Sequence, residues 1–450
     1  MITSTNRVGP VGASLYRAIW RWHFFAGLLV IPALLNLAIT GSLYLFKDEI
    51  NNSVFSYRYT VRASGDALNP ETIVEKAVAA IPGSTATTYK NPASVTQSAI
   101  VTVLHDNVST LVFVNPYTGK ILDKVSVESE FNYIVKRIHS WAFFGSWANK
   151  LIEIAGGFTM VLVVTGIYLW WPRRQSGGVI SVRGNSSQRV FWRDLHAITG
   201  VSAGAFIFFL ALSGMPWSGF WGSNLSNWAN ERGLGYPAQL WDDVPKSSKV
   251  SKDILPKVGW AVEQAPVPLS DAAVLEAKPP VGLDTIVEQA KAGGISPGFD
   301  VALPRNPSGV YSAAIYPDQV AGQRMIHFDQ YSGKPLVDLS YAQYPILGKS
   351  IEWGISVHQG QEYGRVNQLL MLTACLLIIG MSVTSVVMWW KRRPAGTLGV
   401  PPKPRSHPIH VGLWLVIILF SLAFPLSGLA ILVMIFIDQI LVRLVKIAIA

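Results

Sequence analysis

Residues 139–174 read HSWAFFGSWANKLIEIAGGFTMVLVVTGIYLWWPRR, and residues 358–393 read HQGQEYGRVNQLLMLTACLLIIGMSVTSVVMWWKRR. Set histidine on histidine, Gly145 falls on Gly364 and Thr165 on Thr384. Trp170-Trp171 then fall on Trp389-Trp390, and Arg173-Arg174 on Arg392-Arg393. Each stretch holds an apolar run near the ~20 residues that cross a hydrocarbon core of ~30 Å. Each ends on interfacial tryptophans and a pair of arginines, the signature of a stop at the membrane surface. A chain that carries such a stretch twice is built by duplication around a membrane.

The rest of the chain agrees. Only 14% of residues are charged and the mean hydropathy is +0.33, against about 25% charged in soluble domains. Apolar runs place five spans near 22–46, 151–171, 196–217, 368–390 and 411–437. No small-residue cleavage site follows the first, so it is read as retained. The net charge of +10 is local. Residues 1–22, 172–195 and 391–409 hold thirteen Lys or Arg and one acid, and the remainder is close to neutral. Short basic segments orient a membrane protein rather than bind nucleic acid, and they put the N-terminus and both loops in the cytoplasm. The single cysteine, Cys375, lies in an apolar run and excludes an intrachain disulfide, a Cys-rich iron–sulfur cluster or a CxxCH haem attachment.

The duplication extends further. His23, His196 and His410 are each followed at +17 and +18 by Thr-Gly or Ser-Gly. Between paired spans, TIVEKA at 72–77 answers TIVEQA at 285–290, and NPYTGK at 115–120 answers DQYSGK at 329–334. Each soluble segment reads as an amphipathic helix, alternating strands and a Gly-containing hairpin turn, with two strands in 99–114 around Asp106-Asn107. The fold class is thus an α-helical membrane protein of about five spans, with a parallel internal repeat about a pseudo-twofold axis along the membrane normal and two extracytoplasmic α+β domains. In order, the chain reads as 1–46, N-terminus and first span; 47–130, first soluble domain; 131–171, interfacial helix and second span; 172–195, loop; 196–217, third span. It continues as 218–282, a Trp-rich insertion and Pro/Ala-rich linker; 283–350, second soluble domain; 351–390, interfacial segment and fourth span; 391–410, loop; 411–437, fifth span; 438–450, tail.

A parallel repeat puts His23 and His196 at one depth near the cytoplasmic side, and His139 and His358 at one depth near the outer side. Ionisable groups at membrane depth are costly and usually functional, and neutral imidazole is the commonest metal ligand. Two facing histidines in apolar surroundings suit the axial positions of a b-type haem. Two such pairs would carry electrons across a core that one haem cannot bridge. An unbroken helix from Trp171 back to His139 would be ~47 Å long. Residues 131–142 are therefore read as an amphipathic surface helix that turns His139 inward. His410 shares the template of His23 and His196 and is a third candidate at that depth. His105, His327 and His407 have no repeat partner and read as ordinary polar residues.

No Asp or Glu lies mid-span, against an ion-coupled transporter. Asn36 and Ser382 read as helix–helix hydrogen-bonding groups. No Gly-rich nucleotide loop is present, so electrons would come from a cytoplasmic partner or from quinol. The insertion 218–282 reads as an interfacial flap held by tryptophans, or as a wall for a bulky external substrate.

His23 with Thr40-Gly41, the NPYTGK and DQYSGK turns, and His139 with TGIYLWWPRR resemble the PepSY-associated transmembrane proteins, which include inner-membrane ferric-siderophore reductases of Gram-negative bacteria. The resemblance implies periplasmic PepSY-type domains, two b-haems on histidine pairs, and one-electron reduction of a ferric siderophore that releases Fe(II). The extra span with His410 and the insertion depart from that pattern. Two other classes stand beside this reading, a non-enzymatic PepSY binding or regulatory protein and an iron-chelate transporter.

Overall fold

The structure is a computed structural model that describes residues 10–173, 177–271, 279–397, 399–402 and 411–449. In chain order its elements are α1 (Pro10–Leu45), α2 (Lys47–Ser53), α3 (Ser56–Tyr59), α4 (Pro70–Ala79), β1 (Thr85–Lys90), β2 (Ala99–His105), β3 (Val108–Val114), β4 (Ile121–Ser126), α5 (Phe131–His139), α6 (Ser146–Trp170) and α7 (Arg189–Gly214). They continue as α8 (Trp221–Glu231), β5 (Lys246–Val250), β6 (Pro266–Pro268), α9 (Leu283–Ala292), β7 (Asp300–Ala302), β8 (Val310–Ile315), β9 (Arg324–Asp329), β10 (Pro335–Ser340), α10 (Ile346–His358), α11 (Gly364–Arg392), α12 (Val411–Ala423) and α13 (Pro425–Ile449). The chain divides into two units. One, helical, comprises Met1–Ser42, Arg137–Ser223 and Leu369–Ala450; the other, built on a sheet, comprises Leu43–Lys136 and Asn224–Gln368.

Within the helical unit, α1, α6, α7 and α11 are long and apolar enough to cross a bilayer. Their contacts rest on small side chains, which let backbones approach where lipid supplies no hydrophobic drive. Ala26, Val30 and Ala33 of α1 pack on Ala155 and Phe158 of α6. Ala38 packs on Ala203 and Ile207 of α7 and on Cys375 and Ile378 of α11. Asn36 donates from Nδ2 to the carbonyls of Ile138 and His139.

The expected fifth span, 411–437, is two helices. Proline lacks the N–H that would continue α12, and its ring clashes with the carbonyl four residues back. The ladder accordingly ends with Phe424 N–H on Phe420 O and restarts with Gly428 N–H on Phe424 O. Residues seven apart in a straight helix rise about 10 Å, yet a Cβ on Gly428 would overlap Ser421. The chain therefore bends sharply at Phe424–Pro425. Trp221 stacks on Phe424 at 5.5 Å and donates from Nε1 to Ala423 O at 2.7 Å. Where a tail from 438 was expected, α13 runs on to Ile449.

The sheet unit contains one eight-stranded antiparallel sheet, ordered β10-β9-β8-β7-β1-β2-β3-β4. The two soluble segments expected as separate domains are its halves. They join where β1 pairs with β7, Tyr89 opposite Val301 and Lys90 opposite Asp300. The order is symmetric about that seam. Asp106 and Asn107 both take positive φ in the two-residue β2–β3 turn, as a type I′ hairpin requires. The matched hexapeptides make matched turns. Asn115 Oδ1 accepts from the N–H groups of Tyr117 and Thr118, and Asp329 Oδ1 from those of Tyr331 and Ser332. Gly119 and Gly333 take the left-handed position in each.

One face of the sheet is covered by α4 and α9 over a core that includes Ile73, Val101, Ile286 and Val301. The second half is covered on its other face as well. Trp241, Trp260 and Val262 of the insertion pack there on Ala302, Ala314, Met325 and Leu339. Every residue of β8 is buried in consequence, whereas β2 alternates. Residues expected as a flap and linker are thus core: Trp241 and Trp260 are 0% and 2% exposed. Composition marks the later part of the insertion as loose chain, and long-range packing overrides it at Trp260 and Val262.

Candidate functional site

A cavity of about 490 Å³ opens within the helical unit, lined from α1, α6, α7 and α11. His23 and His196 both line it. Trp20, Phe24, Ile167, Met381, Met388 and Trp389 supply an apolar wall, and Gly27, Gly166 and Gly200 leave room in it. On Gly166 a Cβ would stand only 3.3 Å from His23 Cε1. Arg189, Arg193 and Arg392 add positive charge. The size suits a cofactor or drug-sized ligand.

Each histidine is held from behind by a threonine of the next helix. His23 Nδ1 lies 2.9 Å from Thr165 Oγ1, and His196 Nδ1 lies 3.1 Å from Thr384 Oγ1 and 3.3 Å from Ser385 Oγ. The threonine protons are already committed. Thr165 donates to Val161 O at 2.7 Å and Thr384 to Met381 O at 2.9 Å. A hydroxyl has one proton; spent on the carbonyl, it leaves the threonine oxygen to accept from an Nδ1–H. That tautomer leaves the Nε2 lone pair bare, the form in which imidazole binds a metal.

His139 repeats the arrangement at the far end of α1. It ends α5, and Trp141 and Gly145, both at positive φ, turn the chain before α6 begins. The histidine is thus set off the span on its own short helix. Its Nδ1 lies 2.9 Å from Thr40 Oγ1, which donates to Asn36 O at 2.6 Å, so the same tautomer follows. Gly41 lies against the ring, where a Cβ would make ordinary contact with His139 Cε1 at 3.5 Å. The last of the four, His358, closes α10 in the sheet unit, half-buried. His410 and His407 lie outside the described residues. Of the unpaired histidines, His105 is exposed beside Asp106, and His327 is buried in β9. Among the described residues no three His, Cys, Asp or Glu gather as a metal cluster; an axial pair needs two.

The arginines of the stops divide. Arg392 reaches the cavity and lies over Trp20 and Phe24. Arg173 lies over Tyr16 and Tyr168, and Arg393 over Trp390 at 3.9 Å. Arg174 is outside the described residues. In the sequence Thr165 aligns with Thr384 and Thr40 stands beside Gly41, a pattern that assigns them no role, and Arg189 and Arg193 read only as topological charge. The signal for the threonines was their fixed offset from the histidines.

A comparison with curated proteins finds no match. The family model described as the PepSY-associated TM region matches residues 20–392. That match runs from just before His23 to Arg392 and takes in the cavity, both histidines that line it and the whole sheet, so the chain belongs to the PepSY-associated transmembrane family.

Proposed function

We propose that this protein is a dihaem oxidoreductase of the bacterial inner membrane that passes electrons outward to reduce a periplasmic ferric siderophore and release Fe(II). One observation carries the reading. His23 and His196 line one apolar cavity, and each has Nδ1 within hydrogen-bond distance of a threonine whose hydroxyl also reaches a carbonyl of its own helix. A haem b held by two such imidazoles supplies a one-electron carrier. The chain's part is to fix both rings in the ligating tautomer, to keep water away with the tryptophan, phenylalanine and methionine wall, and to offer Arg189 and Arg392 to propionates, Arg193 being paired with Asp194. The second haem is assigned to His139 and His358, the pair matched in the sequence, and His139 has its Nδ1 held by Thr40 in the same way. The basic segments support a cytoplasmic N-terminus, with the donor a cytoplasmic protein or quinol. An absorption spectrum of protein purified from haem-replete cells, oxidised and then reduced with dithionite, tests the reading. Two b-haems per chain are expected, falling to one in His23→Ala, His196→Ala, His139→Ala or His358→Ala. A colourless preparation would sink the reductase and leave the PepSY binding reading.

A further inference from the structure

A second cavity, of about 370 Å³, lies in the sheet unit. The insertion strand β5 forms one side, and the β7–β8 loop, residues 303–309, forms the other. Lys246, Lys249 and Arg305, all exposed, line it with Ser247, Ser248 and Asn306, and among the described residues no carboxylate does. Three like charges on one concave wall favour an anion between them, because such a wall focuses their field.

The loop is rigidly built. Gln330, 4% exposed, places the two hydrogens of Nε2 among the carbonyls of Asn306, Pro307 and Gly309, at 3.1, 2.7 and 2.8 Å. Tyr331 donates to Pro307 O at 2.6 Å, and Ser270 N–H to Ser308 O at 3.0 Å. Arg305 therefore stands on a fixed support. The strand opposite is irregular, its pairing with β6 skipping between Lys246 and Val250, which departs from the alternation that would turn successive side chains away. The other half of the sheet has nothing equivalent. Its β1–β2 loop, residues 91–98, contains no Lys or Arg, and the insertion has no counterpart there. Charge was thus added to one half alone, where a purely structural loop needs none.

We propose that this pocket binds a small polycarboxylate anion, namely the anionic ferric chelate to be reduced, an assignment that rests on the function proposed above. The probe is ferric citrate, titrated by calorimetry into the full chain in detergent, with iron-free citrate and inorganic phosphate as parallel arms. Lys246→Gln/Lys249→Gln/Arg305→Gln should bind the ferric chelate at least about tenfold more weakly than the parent, and added salt should weaken the parent. Lys120→Gln, remote in sequence on an exposed turn, should bind as the parent does. An unchanged Kd in the triple variant, an equal loss in the control, or no binding by the parent overturns the site. Iron-free citrate or phosphate binding as tightly as the chelate overturns the assignment of the ligand. If the triple variant folds poorly by circular dichroism, Arg305→Gln alone decides: a Kd weakened about threefold or more supports the site, and an unchanged one overturns it. A haem-free protein that still binds the chelate through these cations sinks the reductase and leaves the pocket standing.

Discussion

Thr165 Oγ1 lies 2.9 Å from His23 Nδ1, and Thr384 Oγ1 lies 3.1 Å from His196 Nδ1 in the same relationship. The two threonines occupy matched positions before the two Trp-Trp stops, so one orienting device occurs twice around one cavity. Partners of this kind set a ligand ring's tautomer, and their loss usually costs 10–100-fold in metal affinity. Thr165→Val and Thr384→Val should each weaken haem binding by about that factor. Thr165→Ser and Thr384→Ser, which keep the hydroxyl, should stay near the parent. Titrating haem into apoprotein while following the Soret band measures this. Equal affinities in the valine and serine variants would remove the threonines from the site.

The bend at Phe424–Pro425 is seated by a close contact on α6. A Cβ on Gly157 would overlap Ser427, whose hydroxyl is buried with no hydrogen-bond partner among the described residues. Gly157→Ala should therefore destabilise the protein by about 1–3 kcal/mol, the usual penalty of overpacking. Ser427→Gly in the same chain should recover most of that loss, because the two residues share one space. Thermal unfolding in detergent gives both numbers. A double variant no more stable than Gly157→Ala would show that the contact does not hold the bend.

Much of this was legible in the sequence, and what was not has a common cause. The spans, the hairpin at Asp106-Asn107 and the paired turns at Asn115 and Asp329 depend on residues near one another in the chain, where periodicity and turn chemistry act. The short helix carrying His139 followed from length alone. The hydrogen bonds between His23 and Thr165 and between His139 and Thr40 run between helices, and no local pattern says which helices meet. The fusion of the halves at Tyr89 and Val301 and the burial of Trp260 are long-range in the same way. Pro425 breaks the last span, yet the hydropathy of 411–437 is unbroken and hydropathy does not register a missing N–H.

Trp260 gives a direct measure of how far the insertion is structural. Its side chain is buried against the outer face of the second half-sheet, whereas Trp228 of the same insertion is 44% exposed. Trp260→Ala should cost about 3–5 kcal/mol. Trp228→Ala should stay within about 0.5 kcal/mol of the parent. Denaturant unfolding followed by far-ultraviolet circular dichroism distinguishes them. Small effects for both would return the insertion to a loosely held flap.

His327 should give the sheet unit a distinct acid response. Its side chain is fully buried between β8 and β10, with Nδ1 2.7 Å from Ser312 Oγ and Nε2 without a partner among the described residues. Burial disfavours the imidazolium and pushes the pKa from 6.5 down to about 3. The unfolded chain takes up this proton near pH 6.5 and the folded one near pH 3, so the unfolded state holds more protons between those values. Stability from this group is therefore complete above pH 6.5 and declines as pH falls toward 3, by up to about 1.4 kcal/mol per unit. His327→Gln keeps a neutral polar side chain and removes the titration. It should be less stable than the parent at pH 7, and the gap should narrow or reverse by pH 4. Unfolding free energies of the two proteins across pH 4–7 test this, and parallel profiles would mean that the buried ring does not resist protonation in the folded state.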